Sequence, residues 1–132
     1  MTLLHGRIRL RGAALLLVAC AALPALAAGD PARGERVFQL CAACHAVEGG
    51  AEPLQGPPLK GIVGAPIAAW EGFEYSPALS AFARTQRAWS EDLLDRYLAA
   101  PYRIVPKTTM SFPGLQDAQE RADVIAYVKS LR

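Results

Sequence analysis

The sequence predicts an all-α domain of several short helices joined by long loops. A capping residue followed by Pro at 30–31 and at 76–77 marks helix starts, and no segment alternates apolar and polar residues as strands do. Gly and Pro are dense over residues 49–66, which is typical of a loop. Of the 132 residues, 52% are hydrophobic and 20% are charged, which fits one globular domain and excludes wholesale disorder.

The first 27 residues have the pattern of a secretory signal peptide, so the folded domain is expected to comprise residues 28–132. Residues 5–12 carry three Arg and no acid, residues 13–23 form an unbroken apolar run, and small residues at 25 and 27 suit a signal peptidase. Removal of this leader changes the formal net charge from +2 to −1. A charge this small gives no basis for nucleic-acid binding or for a polybasic membrane surface.

Two other interpretations of the leader remain open. An uncleaved membrane anchor needs a longer apolar run than residues 13–23 provide. Residues 17–20 resemble a bacterial lipobox, which would make Cys20 a lipidated N-terminus and leave an apolar segment after it. The prediction is therefore an exported, periplasmic protein with no integral membrane span after cleavage. Its alternative is a lipid anchor through Cys20.

The first helix of the folded domain is predicted from Pro31 to about Ala43. Asp30 is its expected N-cap, and Pro31 suits the first helical position because Pro has no N–H to satisfy there. Val37, Cys41 and Cys44 then share one face of the helix. The two Cys are therefore expected on a helical segment, facing the same side.

Three further helices are predicted from their caps and apolar faces. A short second helix follows Ser76, a third runs from Ser90 to Pro101, and a final one follows the capping box at 117–120. Irregular structure is expected at 49–66 and at 101–116. Because loops this long need something to organise them, a buried prosthetic group is expected to supply core that so small a chain lacks.

Residues 41–45 read CAACH, which is the signature of covalent c-type haem attachment. Cys41 and Cys44 can form thioethers with the two vinyl groups on one edge of the porphyrin, and His45 is then placed beneath the iron as an axial ligand. Three other kinds of site fit the motif less well. A redox dithiol needs a βαβ context, a zinc site needs four ligands, and a simple disulfide leaves the adjacent His without a role.

The second axial ligand is expected to be Met110. It is the single Met outside the predicted leader, where His45 is also the single His, and it lies in the Pro- and Thr-rich segment 105–114. A soft thioether suits the open side of a haem iron. Three alternatives remain, namely Met110 as a plain core residue, Lys107 as the ligand, and an empty sixth position. With both axial positions filled, the iron favours one-electron transfer over catalysis.

Across residues 30–132 the chain resembles the class I cytochromes c, both the mitochondrial type and the bacterial periplasmic proteins close to it. The resemblance rests on several short motifs in the same order along the chain: GERVF at 34–38, CAACHAVE at 41–48, GPPL at 56–59, FEYS at 73–76, Trp89, Tyr97-Leu98, Pro101, PKTTM at 106–110 and RADVIAY at 121–127. It implies an all-α class I cytochrome c fold wrapped around one covalently bound haem c, and electron transfer without catalysis.

The resemblance also implies roles for individual residues around the haem. The Pro57 carbonyl is expected to accept a hydrogen bond from the His45 ring, and Tyr97 is expected beside the sulphur of Met110. Three more residues are expected to hydrogen-bond a haem propionate or to line the haem pocket: Tyr75, Trp89 and Thr108.

Away from the haem, the resemblance implies that the first and last helices pack against each other. The residues expected at that contact are Gly34, Phe38, Val124 and Tyr127. Trp70 has no role in this scheme and is interpreted as loop packing.

Several positions depart from the family pattern. Leu40 and Thr109 stand where the family often has Lys, and outside the leader the chain keeps only Lys60, Lys107 and Lys129. The family also often has Asn at the position of Pro58 and a basic residue at that of Ala65. A partner with an apolar docking face, or a weak encounter with little salt dependence, therefore fits as well as a strongly acidic partner.

The predicted function is a monomeric, periplasmic one-electron carrier between redox proteins. Its partners are expected to be a membrane respiratory complex or a periplasmic dehydrogenase. One alternative is the haem-c electron-accepting subunit of a periplasmic dehydrogenase complex. Another is a ligand-binding or peroxidatic haem protein, which needs a displaceable Met110. A two-haem peroxidase is excluded because the chain has a single CxxCH motif.

Overall fold

The computed structural model describes residues 28–50 and 54–132, and five helices form in this part of the chain. The predicted leader, with the alternative anchor Cys20, lies outside the described residues. In chain order the helices are α1 (Pro31–Phe38), α2 (Pro77–Phe82), α3 (Glu91–Ala99), α4 (Pro101–Ile104) and α5 (Ala118–Ser130). Among the described residues, none of these helices is long and apolar enough to cross a membrane.

The four predicted helix starts are confirmed by their capping side chains. Asp30 accepts hydrogen bonds from the Ala32 and Arg33 N–H groups at the start of α1. The other caps are Ser76 for α2, Ser90 for α3 and Asp117 for α5, each accepting from backbone N–H groups of the first turn. The all-α prediction is confirmed as well, since β pairing in the described residues is limited to an isolated bridge between Pro66 and Ala88.

The predicted end of the first helix is wrong, because α1 stops at Phe38 and not near Ala43. The N–H groups of Cys41 and Ala42 both donate to the Phe38 carbonyl, and those of Cys44 and His45 both donate to the Cys41 carbonyl. The haem motif is therefore built on two successive turns. Apolar residues recur at nearly the same spacing in such turns as in a helix, so the sequence pattern could not show that the helix ends at Phe38.

The segment 101–116, predicted to be irregular, begins with the short helix α4. Pro101 ends α3 as expected, but it is also the first residue of α4. Pro suits the first position of a helix, because the N–H that it lacks would have no acceptor within the helix. The same residue thus serves as the stop of one helix and the start of the next, and only the first of these roles was predicted.

Helix α1 packs across α5, and a Gly makes the contact close. The ring centroids of Phe38 and Tyr127 are 5.2 Å apart. A Cβ at Gly34 would lie 2.8 Å from the Tyr127 Cβ and would collide with the carbonyl oxygen of Asp123. The two backbones therefore approach to a distance that only Gly allows at this position.

Gly34→Ala is expected to destabilise the protein by about 3 kcal/mol or more, because the new methyl group meets backbone that cannot move aside. The better helix propensity of Ala offsets only about 1 kcal/mol of this. Urea unfolding measures the loss. Glu35→Ala, at the exposed neighbouring position of α1, is the control and should stay within about 0.5 kcal/mol. Equal stability of the two variants would contradict the close contact.

A buried carboxylate also ties α1 to α5. Asp123 is 3% exposed. It accepts from Nε and Nη2 of Arg33 at 2.7 and 2.9 Å, from the Asp30 N–H at 2.8 Å, and from the Gln119 side-chain amide at 3.0 Å. The Arg33 guanidinium and these donors hold the pKa of the Asp123 carboxyl well below its usual range. The carboxylate thus stays charged at neutral pH.

Asp123→Asn is expected to lower the urea midpoint at pH 7, and this deficit should shrink progressively as the pH falls below about 4. A carboxyl whose pKa falls on folding contributes stability above its unfolded pKa of about 4, and that stability is lost as the pH drops through its folded value. The matched control is Asp92→Asn, which removes an exposed partner of Arg96 and should change little over the same pH range. A deficit that does not shrink at all between pH 7 and pH 2 would show that the Asp123 charge is not responsible.

The core consists of two clusters of buried residues, and one residue predicted to bind the haem packs against each of them. The first lies around α3 and comprises Ile67, Trp89, Leu93, Leu94, Tyr97, Val105 and Ile125, with Met110 packed against it. The second lies between α1 and α5 and comprises Phe38, Leu115, Val124 and Val128, with Cys41 packed against it. Ile62, Val63 and Leu98 touch both clusters. The Cys motif and the Met loop are therefore anchored on neighbouring parts of one core.

Candidate haem site

The ring of His45 is oriented by the loop that follows the Cys motif. Its Nδ1 lies 2.7 Å from the carbonyl oxygen of Pro57. Because a carbonyl can only accept, Nδ1 donates its hydrogen there and Nε2 keeps a free lone pair. The Gly56 N–H donates to the Cys44 carbonyl at 2.9 Å, which ties this loop back to the motif. His45 is thus set in the tautomer that a metal ligand requires.

Gly56 brings the backbone directly against the His45 ring. A Cβ at this position would lie 2.7 Å from Nδ1 and 2.8 Å from Nε2. Such distances leave no room for any side chain at position 56. In the sequence, Gly56 stood out only as part of a family motif, and no role was predicted for it. Its role could have been inferred from its position directly before Pro57, because the Pro57 carbonyl is expected to reach the His45 ring.

Cys41 and Cys44 do not form a disulfide. Burial raises the pKa of the Cys41 thiol, and the neighbouring Cys44 adds to this effect. Redox-active dithiols have a lowered pKa, so the site does not fit that chemistry. The described residues also contain no group of three or more His, Cys, Asp or Glu that could hold a metal ion, as a structural zinc site requires.

Met110 is held from two sides in its loop. The Tyr97 hydroxyl donates to the Met110 sulphur at 3.4 Å, and the Met110 N–H donates to the Thr108 hydroxyl at 3.3 Å. The hydroxyls of Tyr97 and Thr108 are themselves 3.4 Å apart. Burial raises the pKa of Tyr97, which keeps its hydroxyl protonated and able to donate at neutral pH. Lys107, the alternative ligand, is exposed.

The remaining predicted residues fall into two places. Trp89 is buried against Tyr97, with ring centroids 4.9 Å apart, so it belongs with the Met110 group. Tyr75 belongs to a separate group in the loop before α2. Its hydroxyl accepts a hydrogen bond from the Trp70 N–H at 3.1 Å, and its ring meets the edge of Phe73. The structure thus groups Tyr97, Thr108 and Trp89 around Met110, and Tyr75 with Trp70.

The donor set fits covalently attached haem. Two thiols sit one turn apart, an imidazole presents a free Nε2, and a thioether is held by a hydrogen bond on the neighbouring cluster. Thiols for two thioether bonds, together with His and Met as axial ligands, are the groups that a c-type haem uses. The close approach of Gly56 to the imidazole adds a cradle that keeps the ring in place.

A sequence model of the family described as Cytochrome c matches residues 31–132, nearly all of the folded domain. The chain belongs to the cytochrome c family. Cytochromes c are electron carriers and not enzymes, and they bind haem c covalently through a Cys pair, which in this cytochrome c is Cys41 and Cys44. The family and the fold inferred from the sequence motifs are both confirmed.

Known relatives of this cytochrome c include bacterial proteins. Cytochrome c2 of Rhodomicrobium vannielii is 43% identical over 122 residues, which cover 92% of this chain and 92% of that protein. The cytochrome c-type cyt cy of Rhodobacter capsulatus is 42% identical over 109 residues, covering 82% of this chain and 52% of that protein. The similarity thus extends over most of this cytochrome c.

Solved structures of the family match the fold. Cytochrome cH from Methylobacterium extorquens superposes with a TM-score of 0.70 at 40% identity, covering 77% of this chain and 99% of that one. Cytochrome c2 from Rhodospirillum centenum gives a TM-score of 0.72 at 36% identity, covering 78% and 98%. The helices and loops of this cytochrome c therefore follow the class I arrangement.

Proposed function

We propose that the chain is a periplasmic one-electron carrier whose haem iron is ligated by His45 and Met110. When bound, the haem supplies one-electron chemistry between Fe(II) and Fe(III). The observation that carries the proposal is that both ligand side chains are fixed in advance. The imidazole is held by the Pro57 carbonyl, and the sulphur is held by the Tyr97 hydroxyl.

The surrounding residues keep both ligands in place in either oxidation state. The hydrogen bond to Pro57 holds the proton on Nδ1 and raises the donor strength of Nε2. Tyr97 and Thr108 limit the movement of Met110. Ligands that do not move on oxidation leave little reorganisation to oppose electron transfer. A His and Met pair also favours a higher potential than two His, which suits a late position in a respiratory chain.

A potentiometric titration of the holoprotein tests the proposal. We expect one reversible transition that follows a one-electron Nernst slope of about 59 mV per tenfold change in the ratio of oxidised to reduced protein. The reduced and oxidised spectra should interconvert fully over repeated cycles. A transition that requires two electrons, or that is not reversible, would contradict a simple carrier.

The proposed electron port is the thioether edge near Leu40, Ala43 and the Met110 loop. Leu40 directly precedes the first haem Cys and is 60% exposed. Two of the three Lys of the folded domain are neutralised in ion pairs, Lys60 with Glu48 and Lys129 with Glu91. This supports docking through apolar contact and weak salt dependence, to a membrane respiratory complex or a periplasmic dehydrogenase.

We further propose that residues 1–27 are a cleaved leader and that the domain starts at residue 28. The start of the fold supports this boundary. Gly29 lies so close to the carbonyl of Ala122 that a Cβ would collide with it, and the Asp30 N–H donates to Asp123. The chain is therefore fixed on α5 from its second residue after the proposed cleavage site. Mass spectrometry of the exported protein gives the actual N-terminus.

A second candidate function is that of an electron-accepting subunit in a periplasmic dehydrogenase complex. The exposed Leu40 favours it, because a permanent partner would bury this side chain. Size-exclusion chromatography of the native protein separates the two candidates. A free carrier elutes as a monomer, whereas a subunit elutes with a larger chain.

A further inference from the structure

We propose that a groove beside Trp70 is a docking site for a basic protein segment that inserts one apolar side chain. The groove, here named the Trp70 groove, is lined by Glu48, Pro57, Pro58, Trp70, Glu71 and Phe73 among others. None of its described lining residues belongs to the thioether edge or to the Met110 loop. It is thus a surface in addition to the proposed electron port.

Trp70 is exposed on one side and packed on the other, which suits an anchor for a partner. It is 47% exposed. Its backbone N–H donates to the Tyr75 hydroxyl, and its indole edge lies against Gly49, where a Cβ would be 2.8 Å from Cζ2. A large aromatic side chain that is already held loses little freedom when a partner binds. Aromatic residues of this kind are enriched among the residues that dominate binding energy.

The size of the groove limits what it can hold. Its volume is about 250 Å³. Pockets for cofactors and drug-sized ligands are larger, about 300–1,000 Å³. Trp70, Phe73, Pro57 and Pro58 are apolar residues of its lining. A single aliphatic side chain from a protein partner fits this volume and this surface.

The charges around the Trp70 groove select a basic partner. Glu48 and Glu71 line it, and none of the described lining residues is a Lys or an Arg. Glu74 is exposed in the same loop. Glu48 is paired with Lys60, an exposed ion pair of the kind that contributes little stability and that a partner can replace. Lys or Arg on either side of the inserted side chain would meet this negative rim.

The floor of the groove connects it to the haem ligand. Gly56 and Pro57 both line it, and the Pro57 carbonyl holds the His45 ring. A segment bound there would rest on the loop that orients the imidazole. Binding is therefore expected to change the environment of His45 as well as that of Trp70.

The test is an NMR titration of the ¹⁵N-labelled reduced holoprotein with the peptide acetyl-Arg-Ala-Leu-Ala-Arg-amide at low salt. We expect saturable shifts of the Trp70 indole N–H and of the Gly56 and Phe73 amides. A peptide with Glu in place of both Arg, and one with Ala in place of Leu, should each bind at least about tenfold more weakly.

Two variants and a control connect the binding to the groove. Trp70→Ala should weaken the peptide at least about tenfold, and Glu71→Gln should weaken it about threefold. Glu71→Gln removes only a charge at an exposed position, so it keeps the test valid if Trp70→Ala fails to fold. Tyr102→Ala removes an aromatic side chain that is 50% exposed and outside the groove, and it should leave the affinity unchanged.

Three results would overturn the proposal. One is equal binding of the peptide to the wild type and to both groove variants. Another is equal binding of the acidic peptide. The third is a shift of the same amides on raising the protein concentration without peptide, which would make a second copy of this chain the occupant. Each of these leaves the potentiometric titration unaffected, so failure here is distinguishable from failure of the proposed electron-carrier function.

Discussion

Replacing Met110 with Ala is expected to lower the reduction potential by on the order of 0.1 V or more and to let the reduced haem bind CO. Axial ligands set haem potentials over a range of about 0.8 V, and loss of the soft thioether removes a ligand that favours Fe(II). If Met110 is the proposed ligand, its loss would also free a coordination position that the wild type does not offer. Potentiometric titration and the optical response to CO measure the two effects.

Tyr97→Phe is the matched control for the Met110 variant. It deletes the hydroxyl that donates to the sulphur and lies beside the Thr108 hydroxyl, but it keeps the thioether and most of the packing. We expect a smaller change in potential and no binding of CO. If Met110→Ala leaves both the potential and the CO response unchanged, Met110 is not a ligand, and Lys107 becomes the residue to replace next.

Gly56→Ala is expected to destabilise the holoprotein by more than about 3 kcal/mol and to lower its haem content. The new Cβ would occupy the space of the His45 ring, at 2.7 Å from Nδ1, so the ring or the backbone must move. Movement of the ring also breaks the hydrogen bond to Pro57. Haem content per polypeptide and urea unfolding measure the result.

The control for Gly56→Ala is Gly50→Ala in the same loop. A Cβ at Gly50 meets no atom of the described residues within 4 Å, so stability should change by no more than about 0.5 kcal/mol and the haem content should stay full. Similar losses in both variants would mean that Gly is needed there for backbone conformation and not for the approach to His45.

The sequence was sufficient to predict local features of this protein. Asp30, Ser76, Ser90 and Asp117 each cap a helix because a short polar side chain can satisfy the free N–H groups of the first turn. The CAACH motif at 41–45 likewise carries its chemistry within five residues. Features that depend on so few neighbouring residues can be predicted without knowledge of the fold.

Features that depend on distant parts of the chain were not predictable. Arg33 and Asp123 are 90 positions apart, and nothing local to either residue indicates that they meet. Gly56 needs His45 to be folded against it before its role is visible. Trp70 was interpreted as loop packing, and only the groove around it shows a side chain that is both held and exposed.

The optical spectrum of the reduced holoprotein, recorded with and without CO, tests the His45 and Met110 assignment most directly. We predict a low-spin c-type spectrum that CO leaves unchanged, because the proposed ligands His45 and Met110 would fill both axial positions and the fold holds their side chains in place. A spectrum that shifts on addition of CO would contradict the assignment. That result would show an open or labile sixth position and would favour gas binding or peroxidase-like chemistry over electron transfer.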